Sequence, residues 1–248
     1  MKAMVLAAGL GTRLRPLTSD RPKALVEVGG RTLLEITLAR LRDFGIREVI
    51  INVYHYADMV IDRVKAAANF GMHIEFSRED ILLDTGGGLK QAAWFLGGNS
   101  GAQEDPFILH NVDVISTIDL QRMVEVHKEH HALATLAVQE RKSSRYLLFD
   151  EKARLCGRRL VKEEKTEVVR QPQQMTELAF SGIHVISPRI FPLLTEEGVF
   201  SIVPVYLRLA AQGEKIMAFR ADEYYWRDLG KPENIRQAEL DIKANLVQ

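Results

Sequence analysis

The sequence lacks the residues that cross-link or anchor small proteins. Its 248 residues contain a single cysteine, Cys156, so an internal disulfide is excluded. No window reaches the roughly 18 uninterrupted apolar residues of a membrane span. The N-terminus also lacks the charged and apolar regions of a secretion signal. We therefore expect a cytoplasmic protein without a membrane partner.

An excess of one charge is missing as well. Lys plus Arg and Asp plus Glu both number 33, so the formal net charge is zero. Such a protein generates no global field that attracts nucleic acid, and we expect no nucleic-acid partner. Any anionic ligand must be held by local groups. Nothing in the composition selects between a monomer and a homo-oligomer.

What the sequence does contain, up to residue 138, is a regular alternation of short apolar runs and helical patterns. EVIINV at 48–53 is typical of a buried strand, and Thr32 is placed to cap a helix with apolar residues at Leu34, Leu38 and Leu41. The alternation predicts βαβ units and a mainly parallel sheet. We expect the glycines at 86–88 to break the chain before a short helix.

Beyond residue 138 the alternation weakens. Residues 146–150 and 154–159 predict a hairpin within a stretch, 141–170, that holds ten basic and five acidic residues. These charges could face an anion, although a solvated hairpin is the plainer interpretation.

A long loop follows the first predicted strand and combines glycine with positive charge. Gly9 and Gly11 allow backbone N–H groups to approach a ligand, while Arg13, Arg15 and Lys23 can neutralise phosphate oxygens. The loop therefore predicts a polyphosphate site. It fits neither a dinucleotide fingerprint nor a P-loop, whose residue patterns the chain does not contain.

Two aspartates follow predicted strands. Asp113 comes after PFILHN at 106–111, and Asp228 comes after an aromatic stretch, so both are expected at the strand-end edge where open α/β sheets bind ligands. Mg²⁺ takes one or two carboxylates and completes its shell with phosphate oxygens and water. We expect Asp113 and Asp228 to share Mg²⁺ with a bound triphosphate.

Three histidines invite a metal-site interpretation. His127, His130 and His131 lie on a predicted helix that ends near residue 131. Zinc would require further well-placed ligands, and Cys156 has no companions. We interpret the histidines as a partly exposed helix face and Cys156 as a structural residue.

Several motifs together resemble the sugar-1-phosphate nucleotidylyltransferases. They are LAAGLGTRLRPLT at 6–18, PKALVEVGG at 22–30, TGGGL at 85–89, NVD at 111–113 and WRDLGKPENI at 226–235. That family makes an NDP-sugar and pyrophosphate from an NTP and a sugar 1-phosphate. The resemblance implies a Rossmann-like three-layer α/β/α fold with a small sugar-binding β extension. It also implies one domain, 1–248, with a nucleotide-binding half at 1–138 and a sugar-binding and C-terminal half at 139–248.

The resemblance further implies roles for individual residues. Arg13, Lys23 and Asp113 are the expected catalytic residues, with Lys23 bridging the two phosphate groups that react. Asp113 and Asp228 would hold Mg²⁺, and Gly182 and Asp228 would bind the sugar. The expected nucleotide-binding residues are Ala8, Gly9, Gly11, Thr12, Arg13, Lys23, Gly86, Gly87, Gly88 and Asn111.

The chain departs from the family pattern at three places. Val112 stands where Gly usually precedes the aspartate, Lys231 stands where Thr is common, and Lys165 is followed by Thr166 instead of the Pro of a Glu-Lys-Pro element. The TGGG run and the segment FSGIHVISPRIF at 180–191 are most similar to members that use UTP and N-acetylmuramate 1-phosphate. We expect these substrates.

Two other functions stay open from the sequence. The chain could be a sugar-nucleotide sensor or regulatory subunit without turnover. It could also be a CTP:phosphocholine-type cytidylyltransferase, with Tyr224, Tyr225 and Trp226 forming a cage around a quaternary ammonium.

Overall fold

The computed structural model describes residues 1–97 and 105–246. Its strands are β1 (Lys2–Leu6), β2 (Glu27–Val28), β3 (Arg31–Thr32), β4 (Glu48–Val53), β5 (His73–Arg78), β6 (Phe107–Asn111), β7 (Val114–Ser116), β8 (Ala134–Gln139), β9 (Arg145–Phe149), β10 (Leu155–Leu160), β11 (Lys165–Val168), β12 (Thr176–Ile186), β13 (Ile216–Arg220) and β14 (Trp226–Asp228). Its helices are α1 (Leu33–Asp43), α2 (Ala57–Ala66), α3 (Asp84–Gln91), α4 (Ala93–Leu96), α5 (Leu120–Glu129), α6 (Ile202–Ala211) and α7 (Pro232–Lys243). Short 3₁₀ helices cover Thr12–Leu14, Lys23–Leu25, Ala68–Gly71 and Pro188–Leu193.

A mixed central sheet organises these elements in the order β5-β4-β1-β6-β12-β8-β13. Neighbours from β5 to β6 are parallel, as are β8 and β13, whereas β12 runs antiparallel to both of its neighbours in this sheet. The mainly parallel mixed sheet of a Rossmann-like fold is therefore confirmed.

Helices cover both faces of the sheet. In β1, Ala3 and Val5 face a core formed with α1, α2, α5 and α7, and Met4 faces a second core formed with α3, α4 and α6. Strands that are buried on both faces read as continuous apolar runs, which explains the sequence pattern.

The start of α1 follows from its sequence. The Thr32 side chain accepts a hydrogen bond from the backbone N–H of Glu35 at 3.2 Å, and the Glu35 carboxylate accepts one from the N–H of Thr32 at 2.7 Å. This reciprocal cap satisfies two N–H groups that the first helical turn leaves free. The predicted helix and its cap are confirmed.

The β extension branches from the first half of β12. Its strands are antiparallel and pair in the order β12-β9-β10-β11. The predicted hairpin is confirmed as β9 and β10, and β11 adds a strand that the sequence pattern does not reveal.

Two expectations are wrong. Residues 86–88 do not break the chain, because α3 begins at Asp84 and includes them. His127 is buried, and its Nδ1 lies 3.0 Å from the hydroxyl oxygen of Thr135 on β8. Burial lowers the pKa of His127 to about 4. Met123 and His127 are spaced by one helical turn, so both lie on the buried face of α5.

Cys156 is buried, as a structural residue should be, and its thiol donates to the carbonyl of Leu148 at 3.2 Å. Burial raises the pKa of this thiol to about 11. In the described ranges, no helix has the length and apolar character needed to cross a bilayer.

Candidate active site

The parallel pairing of β1 and β6 places two predicted site segments at one edge of the sheet. Leu6 pairs with Asn111, and the next N–H on that side, from Val112, donates to the carbonyl of Leu6 at 3.1 Å. The glycine loop, residues 7–22, therefore leaves the sheet beside Asp113.

The glycine loop is folded around Gly11 and open at Gly9. Gly11 has a φ of +64°, and a side-chain carbon added there would lie 2.9 Å from Cγ2 of Thr18. The Thr18 hydroxyl donates to the carbonyl of Gly11 at 2.9 Å. A carbon added at Gly9 would meet nothing within 4 Å. A pocket of about 330 Å³ adjoins the loop and is lined by Leu10, Thr12, Arg15, Thr18, Ser19, His55 and Tyr56.

Lys23 returns from the end of the loop to Asp113. The two form an ion pair, and each side chain is 13% exposed. Lys23 opens a 3₁₀ turn that is anchored by the fully buried Ala24. The sequence therefore folds so that the positive charge of Lys23 is neutralised by Asp113 in the free protein.

The second aspartate joins this site through a short antiparallel pair. β14 pairs with β7, which places Asp228 opposite Val114, and the N–H of Leu229 donates to the carbonyl of Asp113 at 2.7 Å. The Asp228 carboxylate accepts a hydrogen bond from the N–H of Gly230 at 2.6 Å. Asp113 and Asp228 are thus held on adjacent backbone segments.

Gly230 lets Arg13 approach the same place. A side-chain carbon at Gly230 would lie 2.7 Å from Nη2 of Arg13 and 2.7 Å from Oδ1 of Asp228. The structure therefore brings together Arg13, Lys23, Asp113 and Asp228.

The donor set of this site fits Mg²⁺. Within the described ranges, no group of three or more His, Cys, Asp and Glu side chains is placed to hold a metal. Two carboxylates suffice only if substrate oxygens complete the shell, which is how Mg²⁺ is held in nucleotide sites.

The glycines at 86–88 lie in the first half of α3 and are tightly packed. An added carbon would lie 2.4 Å from the Phe200 ring at Gly86, 2.6 Å from the Gly198 carbonyl at Gly87 and 2.8 Å from Glu79 at Gly88. The N–H groups of Gly86 and Gly87 both donate to the Phe200 carbonyl, at 2.9 and 3.1 Å. Close packing accounts for these glycines, and their contact with a nucleotide stays a prediction.

A buried polar pair near the loop was missed by the sequence analysis. Asn52 accepts from the N–H of Ala7 at 2.7 Å and donates to Glu79 at 2.7 Å. The Glu79 carboxylate also accepts from the N–H of Leu83 at 2.9 Å, and burial raises its pKa. This Asn52–Glu79 bridge connects the glycine loop to the segment that enters α3. A polar residue inside the apolar run EVIINV was the available signal.

On the sugar-half side, Gly182 and Asn111 are in close contact. Gly182 has a φ of +75°, and an added carbon would lie 2.8 Å from the Asn111 amide nitrogen. The preceding carbonyl, of Ser181, accepts from the indole N–H of Trp226 at 2.7 Å. Arg141 stacks on this indole, with its guanidinium carbon 3.7 Å from the ring centre. In the sequence, nothing distinguishes Arg141 from the other basic residues of 141–170.

The structure also shows the surroundings of Val112, one of the departures from the family pattern, and of the three neighbouring aromatic residues. Val112 is 3% exposed, and its side chain packs in the core that also contains residues of α1. Tyr224 stacks on Phe219, Tyr225 donates to Asp241, and the indole of Trp226 donates to Ser181. The three rings have different neighbours, which does not favour a shared ammonium cage.

Comparison with known proteins identifies similar chains. A family model described as nucleotidyl transferase matches residues 2–245. The chain is 34% identical to N-acetylmuramate alpha-1-phosphate uridylyltransferase of Caulobacter vibrioides, with 99% of this chain and 97% of that protein covered. It is 29% identical to mannose-1-phosphate guanyltransferase of Yarrowia lipolytica, with 94% and 62% covered. The fold is similar to that of HddC from Yersinia pseudotuberculosis complexed with GMP-PN, with a TM-score of 0.75, 24% identity, and 97% and 99% covered.

Proposed function

Since this chain belongs to the nucleotidyl transferase family and is a sugar-1-phosphate nucleotidyltransferase, we propose that it transfers UMP from UTP to N-acetylmuramate 1-phosphate with Mg²⁺. The products would be UDP-N-acetylmuramate and pyrophosphate. The observation that carries the site assignment is the Lys23–Asp113 ion pair beside Asp228. The substrate assignment rests on similarity to the Caulobacter protein over nearly the whole of both chains.

The reaction is an in-line displacement at phosphorus. A phosphate oxygen of the sugar 1-phosphate forms a bond to the α-phosphorus of UTP. The bond between the α-phosphorus and the oxygen that bridges it to the β-phosphorus breaks, and pyrophosphate leaves with that electron pair. Because the nucleophile is already an anion, no general base is required. The protein must align the two anions and reduce their repulsion.

We assign this electrostatic work to Lys23 and Arg13. Lys23 is paired with Asp113 in the free protein, and triphosphate oxygens would compete for its ammonium group. Arg13 approaches Gly230 and Asp228 from the glycine loop, where its guanidinium can meet the outer phosphates. The other assigned nucleotide contacts are Ala8, Gly9, Gly11, Thr12, Gly86, Gly87, Gly88 and Asn111.

Asp113 and Asp228 would hold Mg²⁺, which when bound with a nucleotide neutralises charge on the phosphate oxygens. Gly182 is assigned to the sugar pocket from the family resemblance, and its contact with Asn111 connects that pocket to the strand that carries Asp113. Within one domain, 1–248, we assign nucleotide binding to residues 1–138 and sugar binding to 139–248, which contains the β extension.

The first test is pyrophosphate release by the purified protein. UTP, dTTP, CTP, GTP and ATP are crossed with N-acetylmuramate, N-acetylglucosamine, glucose and mannose 1-phosphates and with choline phosphate, at several Mg²⁺ concentrations and with EDTA. We expect UTP with N-acetylmuramate 1-phosphate to give the highest kcat/KM and EDTA to abolish the signal.

Asp113→Asn should be silent in this assay, and Asp43→Asn is the matched control because Asp43 is an exposed residue at the end of α1. Higher turnover with GTP and mannose 1-phosphate would replace the substrate assignment. Unchanged Mg²⁺ titration of Asp113→Asn would remove Asp113 from the metal site.

A further inference from the structure

Arg141 is held beside the site with most of its donors unused. Nη2 donates to the carbonyl of Phe180 at 2.7 Å, and the guanidinium stacks on Trp226 at 3.7 Å. Nε is buried and has no hydrogen-bond partner in the described part of the chain. A guanidinium presents several N–H donors in one plane, so this group is fixed in orientation but not satisfied.

Four other arginines of the basic stretch 141–170 differ from Arg141, because carboxylates of the β extension neutralise them. The pairs are Arg154 and Arg170 with Asp150, Arg158 with Glu167, and Arg159 with Glu177. For Arg141, burial lowers the pKa of the guanidinium, and the negative charge of Asp228 raises it. Arg141 is therefore a half-buried cation that lies close enough to Asp228 for the charge of that carboxylate to act on it.

The strand geometry directs Arg141 toward that site. Trp226 and Asp228 are two residues apart in β14, and alternate residues of a strand project to the same face. Arg141 stacks on Trp226 and so lies on the Asp228 side of β14. The pairing of β12 with β8 also shifts between Phe180 and His184, next to the carbonyl that holds Arg141.

We propose that Arg141 binds an anionic group of the sugar substrate, either its 1-phosphate or a carboxylate on the sugar. The inference rests on the proposed function, which assigns Asp228 to the sugar and metal side of the site. A planar guanidinium matches the paired oxygens of phosphate and carboxylate, and the stacked ring orients it before the ligand arrives. Arg141 thus adds a third cation to Lys23 and Arg13, on the side assigned to the sugar.

Binding is measured by the fluorescence of Trp226. The chain has two tryptophans, and Trp94 is 55% exposed, so Trp94→Phe leaves Trp226 as the single reporter. In this background, Arg141→Gln should weaken binding of N-acetylmuramate 1-phosphate by about 10- to 100-fold, the range for loss of charge-assisted hydrogen bonds. Arg141→Lys should recover part of this loss, because it keeps the charge but not the planar fork.

Three ligands identify the anion. If Arg141 binds the phosphate, the Gln variant loses affinity equally for N-acetylmuramate and N-acetylglucosamine 1-phosphates. If it binds the carboxylate, the loss is confined to N-acetylmuramate 1-phosphate and free N-acetylmuramate. Unchanged affinity for all three sugars would overturn the proposal.

Controls separate this role from structure and from the reaction itself. Arg158→Gln, which removes an ion pair of the β extension, should leave sugar affinity unchanged. Arg141→Gln should raise the KM for the sugar while the KM for UTP stays within about twofold; an equal loss for UTP would contradict a sugar-specific role. If sugar binding depends on Arg141 but no nucleotide reacts, the proposed function fails and this inference stands. If the reaction proceeds without any dependence on Arg141, this inference fails and the proposed function stands.

Discussion

Residues 9–11 and 86–88 are both rich in glycine, yet an added methyl group would meet different surroundings. At Gly9 it would have no neighbour within 4 Å, whereas at Gly86 it would lie 2.4 Å from a ring carbon of Phe200. Gly9 therefore leaves space open for a ligand, although Gly11 in the same segment packs against Thr18, whereas the space at Gly86 is filled by the protein's own chain. The presence of glycine in a sequence does not distinguish these roles, because it does not show whether the space beside the backbone is open or filled by other residues.

The two segments are connected by the Asn52–Glu79 bridge. Asn52 lies opposite Leu6 in the sheet and accepts a hydrogen bond from Ala7 at the start of the glycine loop. Its amide nitrogen would lie 2.9 Å from a side-chain carbon added at Gly88. We therefore expect three kinds of damage: loss of the Lys23 charge that follows the glycine loop, loss of the Asn52–Glu79 bridge, and overfilling at the packed glycines 86–88.

The largest expected effect is on catalysis and concerns Lys23, which directly follows the glycine loop. Lys23→Ala should lower kcat by about 10²–10³, equivalent to about 2.7–4 kcal/mol, by analogy with the removal of one oxyanion-stabilising donor. Lys90→Ala is the control, since Lys90 follows the packed segment and bonds to Glu196 and Glu197. Steady-state rates at saturating substrates should show a lower kcat for Lys23→Ala than for Lys90→Ala. An equal loss of kcat in both variants would contradict a catalytic role for Lys23.

The next largest effect is expected on stability, from loss of the Asn52–Glu79 bridge. Asn52→Ala leaves the N–H of Ala7 and the buried carboxyl of Glu79 without their partner, at a cost of about 1–3 kcal/mol for each unsatisfied group. Urea unfolding measures this free energy. The control is Gln121→Ala, which removes an exposed amide; an Asn52 variant as stable as this control would show that the bridge is not structural.

Overfilling the packed segment should have a somewhat smaller effect. Gly86→Ala should destabilise the fold by about 1–3 kcal/mol, because the new methyl group collides with the ring and carbonyl of Phe200. Adding Phe200→Ala to this variant removes the ring collision and should cost less than the sum of the two single changes. Strict additivity would indicate that the ring is not the obstacle.

The smallest effect on stability is expected at Gly9. Gly9→Ala should change the free energy of unfolding by no more than about 0.5 kcal/mol, because nothing lies near the added carbon. Its KM for UTP should nevertheless rise if the backbone approaches the nucleotide there. Wild-type KM together with wild-type stability would remove Gly9 from the binding site.

Short-range patterns gave much of the fold correctly. The cap at Thr32, the buried strand at 48–53 and the α1 repeat are encoded by residues a few positions apart. The burial of His127 cannot be predicted from the helix pattern, which shows which residues share a face but not that β8 presents Thr135 to that face. The packed glycines were misjudged for a similar reason, since Phe200 and Gly198 are distant in sequence.

The parallel sheet, the composition of the glycine loop and the charged candidates for phosphate chemistry can all be predicted from the sequence. These are properties of local periodicity and of side-chain chemistry. Three contacts depend on the folded chain: Lys23 pairs with Asp113, β14 pairs with β7 and so places Asp228 in the site, and Arg141 stacks on Trp226. Each of these contacts joins residues far apart in the chain, and their proximity arises only when the sheet and its β extension have formed.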